Sequence, residues 1–310
     1  MHGANGDKPA WWRNGARNLV QEAPPRVVVV GNEKGGAGKT TLAALIATSM
    51  LYRGLRVAVI DADLRQQSLS RFLANRRSWL PRAQVEAPVP LEYKLAEDPA
   101  RLAMADPQEA VSRFESAVGM AMADSDLLVI DTPGSDTPLS RCAHLQADLV
   151  VTPMNDSFVD FDVLGQVDPM TLQLVRPSLY AQVVQEAREA REYHDRRLDW
   201  VVLRNRMAAT DGRNRERLTQ GLEALAGEVG FRMAPSLRER VTYREMFPFG
   251  LTIADLVPGV RPGGVSSPRH AARDELRALL VSLRLILEAA PGELGQAATE
   301  ERGAVLHHTG

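Results

Sequence analysis

The chain has 310 residues, 45% hydrophobic and 25% charged, with a formal net charge of -2 at pH 7. That length and balance allow a sizeable core and exclude global basicity as a route to nucleic acid or anionic lipid, so any basic surface has to be local. The one cysteine, Cys142, rules out an internal disulfide and fits a reducing compartment.

Residues 1–25, rich in Gly, Pro and Asn, read as a flexible leader without the apolar core of a secretory signal; Trp11-Trp12 is its one unusual feature. RVVVVG (26–31) is a short β-branched run before glycines, the pattern of a buried parallel strand. Leu42, Leu45, Ile46 and Ser49/Met50 give Thr40 to Tyr52 a helical spacing. LRVAVIDAD (55–63) is a second buried strand, ending in two acids. Ser68 is expected to cap a helix with Leu69, Phe72, Leu73 and Trp79 on one face. Prolines 81, 88, 90 and 99 make residues 81–105 an irregular excursion with at most a short strand.

A helix near 107–123 leads into a third strand, DLLVIDTPG (126–134); ADLVVTP (147–153) and LDWVVLRNR (198–206) are the fourth and fifth. Helices are expected over 160–175, 212–228 and 268–289. Alternating strands and helices predict an α/β fold, a mostly parallel twisted sheet with helices on both faces. One domain is expected over 26–290, with a flexible tail over 291–310. No apolar run reaches 18 residues, so no transmembrane helix and no stable membrane insertion are expected.

The loop GNEKGGAGKTT (31–41) carries the chemistry. Lysine occurs at only four positions, 8, 34, 39 and 94, against 33 arginines, yet two of the four lie in this loop. Strand, glycine-rich loop and helix in that order meet the structural condition for a Walker A phosphate loop. Gly35, Gly36, Ala37 and Gly38 let backbone N–H groups converge on phosphate oxygens, and the helix beginning at Lys39, Thr40 and Thr41 adds its positive end. Lys39 is placed to bridge β- and γ-phosphates, and the Thr40 hydroxyl to ligate Mg²⁺. Asp131, closing an apolar strand, is the expected Walker B carboxylate. Asp61 and Asp63 end another parallel strand on the same sheet edge; one is expected to support Mg²⁺ while the other orients the attacking water.

KGGAGKT (34–40) is the deviant Walker A form, with a lysine at its start. Together with VIDADLRQ, IDTPG, ADLVVTPMNDSFVDFD, DWVVLRNR and YREMFPFGLT, it makes residues 26–289 resemble the ParA/MinD superfamily of ATPases. NDSFVDFD (155–162) and FPFGLT (247–252) narrow the resemblance to the MipZ family of division-site positioning ATPases. The resemblance implies an ATP/ADP- and Mg²⁺-dependent switch that forms a homodimer when ATP-bound, with Lys34 reaching the other subunit's phosphates. It implies that Asp63 activates water, that Asn205 and Arg206 read adenine, and that Pro235 to Arg238, Leu237 included, form the other wall of the base pocket. Asp156 and Asp160 fall where relatives line the dimer face; simple helix capping is an equal reading. Non-specific DNA, FtsZ and ParB are the implied partners, in a cytoplasmic protein associated with the nucleoid and graded from the poles. The chain departs from the pattern at Ala62, where a larger apolar residue is common, and in its longer leader and tail.

Arg213 and Arg217 share a face of the helix expected at 212–228, and Arg240 follows in a second basic stretch; these are the candidate DNA contacts. The helix near 268–289 lacks Trp and Phe and reads as docked core rather than as a membrane-binding helix. A ParA-type partitioning ATPase shares the whole catalytic set and remains an alternative, as does an ATP-dependent ligase on the same fold. An iron protein that bridges a cluster across a dimer needs two cysteines per subunit, which one cysteine does not supply.

Overall fold

A computed structural model describes residues 26–168, 170–171, 173–207, 212–255, 260 and 270–287. The expected leader (1–25), with Trp11-Trp12, and the expected tail (291–310) lie outside the described residues. In chain order, β1 (Val27–Val30) is followed by α1 (Lys39–Tyr52), β2 (Val57–Asp61), α2 (Ser68–Ala83), β3 (Leu91–Glu92), α3 (Pro99–Leu102), α4 (Pro107–Asp124), β4 (Leu127–Asp131), α5 (Pro138–Gln146) and β5 (Leu149–Asn155). Then come a 3₁₀ turn (Phe158–Val163), β6 (Gly165–Val167), β7 (Leu174–Pro177), α6 (Leu179–Glu192), β8 (Asp199–Asn205), α7 (Gly212–Val229), β9 (Arg232–Met233), α8 (Val241–Met246) and α9 (His270–Ser282).

The main sheet has seven strands in the order β3-β2-β4-β1-β5-β8-β9, every neighbouring pair parallel. Its central strand is the run of four valines, fully buried on both faces. Successive side chains alternate between faces. Val28 and Val30 therefore join a core built with α1, α2 and α9, and Val27 and Val29 join one built with α4, α5, α6 and α7. Register decides the site: Val30 pairs with Asp131 on one side and Val151 on the other, and Asp61 pairs with Asp131. The loop after β1 and both strand-ending acids thus share one edge of the sheet, where α/β folds place their ligands.

The structure departs from the sequence expectation in several places. Residues 160–175 form a 3₁₀ turn and the antiparallel hairpin β6/β7 instead of a helix. The turn is pinned by Asp160, whose carboxylate accepts the Asn155 N–H, so the apolar spacing of FVDFDVL is spent on a tight turn. Helices α5 and α6 were not anticipated; each has a hydroxyl cap, Thr137 and Ser178, accepting from an N–H three residues on. Ser68 is the first helical residue of α2 and not its cap, which is Gln67 in a left-handed conformation. Pro81 lies inside α2 and not beyond it; it has no N–H to donate back along the helix, and α2 ends two residues later at Ala83.

Behind that edge of the sheet, α2 is clamped to the segment after α8. Arg76 and Asp255 are fully buried and face each other through two hydrogen bonds of 3.0 and 2.7 Å. Arg76 also donates to the carbonyls of Gly250 and Pro88, and Tyr52 donates to Asp255. Gly250 sits at φ 67°, and a Cβ there would lie 2.2 Å from the Arg76 backbone nitrogen. Only glycine lets the two segments touch. Arg76→Met leaves Asp255 buried without its cation. It should cost about 3–5 kcal/mol of unfolding free energy, read from the urea midpoint at unchanged m-value.

Candidate active site

The loop from Gly31 to Lys39 winds around its own backbone. Gly38 caps α1 at φ 91°, a conformation that L side chains avoid. A Cβ there would also meet the Asn205 amide nitrogen at 2.3 Å. Asn205 Nδ2 donates to the Ala37 carbonyl at 2.8 Å, and its Oδ1 accepts the Arg206 N–H at 2.9 Å. The end of β8 is therefore fastened to the phosphate loop. Lys39 is buried, 8% exposed, and donates to the Lys34 carbonyl at 3.1 Å. Burial lowers its pKa, opposed by Asp131 and Asp63.

Thr40 Oγ1 donates to Asp131 Oδ2 at 2.6 Å, while Asp131 Oδ1 is buried with no hydrogen-bond partner among the described residues. Burial first, then the neighbouring Asp61, pushes Asp131 up to about 8. Asp61 rises to about 6, again mainly through burial. An orphaned carboxylate oxygen beside a hydroxyl, between two acids that resist ionising together, fits a divalent cation, which needs hard oxygen ligands and one or two carboxylates. Thr40 and Asp131 would hold it. Both oxygens of Asp61 already accept N–H groups, from Asp63 at 3.1 Å and Ser70 at 3.0 Å, so Asp61 first anchors the loop into α2.

Asp63 lies beyond the strand end, half-buried. Its Oδ1 accepts the N–H groups of Arg65 at 3.2 Å and Gln66 at 2.9 Å, which fixes the carboxylate on the wall of a cleft of about 860 Å³. Gly35, Gly36, Lys39, Thr40 and the Thr132-Pro133-Gly134 turn line the same cleft. A second cavity, about 290 Å³, shares Gly38, Thr41, Arg206 and Phe247 with it and adds Leu42, Leu45, Asn205, Leu237 and Arg238. A larger cleft along the glycine loop beside a smaller, more apolar pocket has the layout of phosphates and a base.

Lys34 is held within its own chain. Its ammonium forms an ion pair with Asp160, 2% exposed, and lies 3.5 Å from the Val159 carbonyl. Asp156 pairs with Arg204, which also donates to Thr219 of α7 at 2.8 Å. Neither acid caps the 3₁₀ turn; Ser157 does. Pro235 is exposed and lines neither cavity, so the observed wall begins at Leu237. Of the candidate DNA contacts, Arg217 is exposed on α7 and the Arg213 side chain lies outside the described residues. Arg240 is not an open cation: it is 17% exposed and donates to Glu275 at 2.7 Å. Sequence reasoning missed Arg204, Tyr243, Phe247 and Glu275. The aromatic run YREMFPFG was the available signal for two of them.

A family model described as ATPase MipZ matches residues 26–287. The chain belongs to the MipZ family of ATPases. Among curated relatives, ParA of Rhizobium radiobacter is 27% identical over 225 residues, 72% of this chain and 83% of that one. The chain spans 62% or less of the length of four other curated relatives that it matches. Among solved structures, apo McdA of Cyanthece superposes with a TM-score of 0.56 at 18% identity, covering 83% of this chain and 99% of that chain. MinD of Pyrococcus furiosus gives 0.52 at 18%, covering 84% and 99%. These likenesses establish the ParA/MinD-type P-loop fold, and no described helix is long and apolar enough to cross a membrane.

For this MipZ-family chain the acids give a pH signature. Between the ordinary carboxylate value of 3.8 and about 8, the folded chain keeps a proton on Asp131 that the unfolded chain releases. The folded state then binds more protons, so stability falls as pH rises through that window. Asp131→Asn removes the titrating group. It should flatten the fall and raise the melting temperature of the nucleotide-free protein near pH 8 by roughly 2–6 °C. It should also remove the extra stabilisation from Mg²⁺ added with ATP; a thermal-shift series across pH reads both.

Proposed function

We propose that this MipZ-family ATPase is a dimerising switch that hydrolyses ATP slowly, binds DNA non-specifically as the ATP-bound homodimer, and positions the division site by inhibiting FtsZ polymerisation, with ParB recruiting the monomer. The observation that carries the switch is the Lys34–Asp160 ion pair. A lysine committed to its own chain becomes available to another only if something competes for it. The terminal phosphate of a second subunit's ATP carries more negative charge than one carboxylate. ATP then shifts the monomer–dimer equilibrium through contacts that exist only in the dimer.

In this reading Lys39 and the glycine-loop N–H groups hold the phosphates of their own nucleotide. Thr40 and Asp131 would hold Mg²⁺, which would supply charge neutralisation at the phosphates. Asp63 orients a water in line with the γ-phosphorus and takes its proton as the bond to the ADP oxygen breaks. Lys34, supplied in trans, stabilises the charge of the transition state, and its thin stem passes between glycine backbones where a planar guanidinium would not. Asn205 and Arg206 face adenine. Arg213 and Arg217 of α7 carry the DNA contact, doubled by dimerisation and therefore steeply salt-dependent. The likeness to ParA favours a second reading, a partitioning ATPase with the same site but without an effect on FtsZ.

Co-sedimentation of FtsZ separates the two readings: FtsZ should leave the pellet when this protein and ATP are added, and unaltered pelleting would point to partitioning. Asp63→Ala should remain an ATP-bound dimer on size exclusion and stay on DNA at low salt, with hydrolysis reduced by at least about 10²-fold. A monomeric profile with ATP would remove Asp63 from the water. Lys34→Ala should keep the fold and bind nucleotide but form no ATP-dependent dimer; unchanged dimerisation would end its role in trans.

A further inference from the structure

The wall of the 290 Å³ pocket is held from behind by one side chain of α9. Glu275 accepts from Arg240 Nη2 at 2.7 Å, pairs with Arg238 Nε at 3.5 Å, and lies 3.4 Å from the Arg238 N–H. Arg238 and Arg240 both line the pocket, as do Leu42 and Leu45; Glu275 lines neither cavity. Backbone bonds already fix the position of this loop, since Leu237 donates to the Arg204 carbonyl at 2.9 Å and Glu239 to the Met207 carbonyl at 3.1 Å. They do not orient its side chains. Two guanidiniums two residues apart repel each other, and the shared anion offsets that repulsion at one rim, tightly for Arg240, 17% exposed, and more loosely for Arg238, 71% exposed. The same carboxylate lies within electrostatic reach of Tyr243, another lining residue, whose buried hydroxyl has no partner among the described residues.

We infer that Glu275 is a positioning residue for the nucleobase: by gripping Arg238 and Arg240 it shapes the pocket that receives a heteroaromatic base, and makes α9 part of base recognition while leaving the phosphate chemistry untouched. The inference rests on the ATP-site reading above. A planar base gains from flanking guanidiniums only if they are already ordered, because ordering them on binding is charged against affinity.

The test compares two ligands that share phosphates and differ in the base, Mg²⁺ with ATP and Mg²⁺ with inorganic tripolyphosphate, by calorimetry on the full chain. Glu275→Ala should weaken ATP roughly three- to tenfold, the scale of one lost charge-assisted contact, and leave tripolyphosphate unchanged. Glu275→Gln, which can still accept a hydrogen bond, should fall between. In steady-state assays the loss should appear in KM with kcat retained. Parallel weakening of both ligands would overturn the inference by making Glu275 a general support of the fold, and so would unchanged ATP affinity. A wild-type protein that binds neither ligand would remove the ATP-site reading and the inference with it.

Discussion

Two carboxylates forced into register are the constraint around which this molecule is arranged. Asp61 and Asp131 end adjacent parallel strands and are direct partners across the ladder. Both are buried, at 6% and 2% exposure, and burial and proximity raise both pKa values. An ordinary core would not keep such a pair, since burying like charges costs stability that apolar residues would supply. The cost makes sense at an edge that receives a polyanion together with a divalent cation. Lys39 is drawn in from the same side, and its own depressed pKa has the same cause, burial. Each group is uncomfortable alone and complementary to a metal–phosphate complex, which is how a site stores selectivity for its ligand.

The second lysine of the loop obeys a different logic. Lys34 is partly exposed and its acceptor is not: the pair stands at 36% and 2%. Asp160 also accepts the Asn155 N–H, and the adjoining Asp156 grips Arg204, whose third contact is Thr219 on α7. The loop that holds Lys34 is thus in unbroken contact with the helix that bears Arg217. Releasing Lys34 would leave Asp160 buried and without its cation, a penalty that the receiving phosphate has to exceed. In the proposed switch, such a penalty would keep the protein off in the absence of nucleotide and would set a lower limit on the affinity needed to turn it on.

The parts legible in the sequence were those whose physics is local. Four valines before a glycine loop can hardly be anything but a buried strand, and KGGAGKT states its chemistry through spacing alone. The apolar strands ending in Asp61 and Asp131 could be placed on one edge because parallel sheets align their ends. What was not legible depends on distant partners. Asp160 reaches Lys34 across 126 positions and Arg76 reaches Asp255 across 179, and no local pattern announces either. The segment after β5 misled for a related reason. FVDFDVL has helical apolar spacing, but the outcome is set by where Asp160 finds its donors. Short hydroxyl-capped helices such as α5 were missed because a long loop of Thr, Pro, Gly and Ser reads as punctuation when one of its threonines is in fact a cap.

Two layers of identity can be separated on this basis. The phosphate loop and the strand-ending acids are common to a superfamily, and they fix what chemistry is possible. FPFGLT, the phrase that narrows the resemblance, touches none of that chemistry directly. Phe247 packs on Phe72 of α2 with ring centroids 5.1 Å apart, and Phe249 on Trp79 at 6.0 Å. Gly250 permits the contact with Arg76, and Asp255 locks it. Phe247 then lines both cavities, so the segment closes the proposed nucleotide site by shape. Aromatic packing and one buried ion pair hold that wall against α2, whose first turn is anchored by Asp61 through the Ser70 N–H. A change in how Asp61 is charged therefore acts on the helix that carries the wall. The distinctive phrase and the shared acids meet in α2, and family character here is a matter of how the same phosphate chemistry is enclosed.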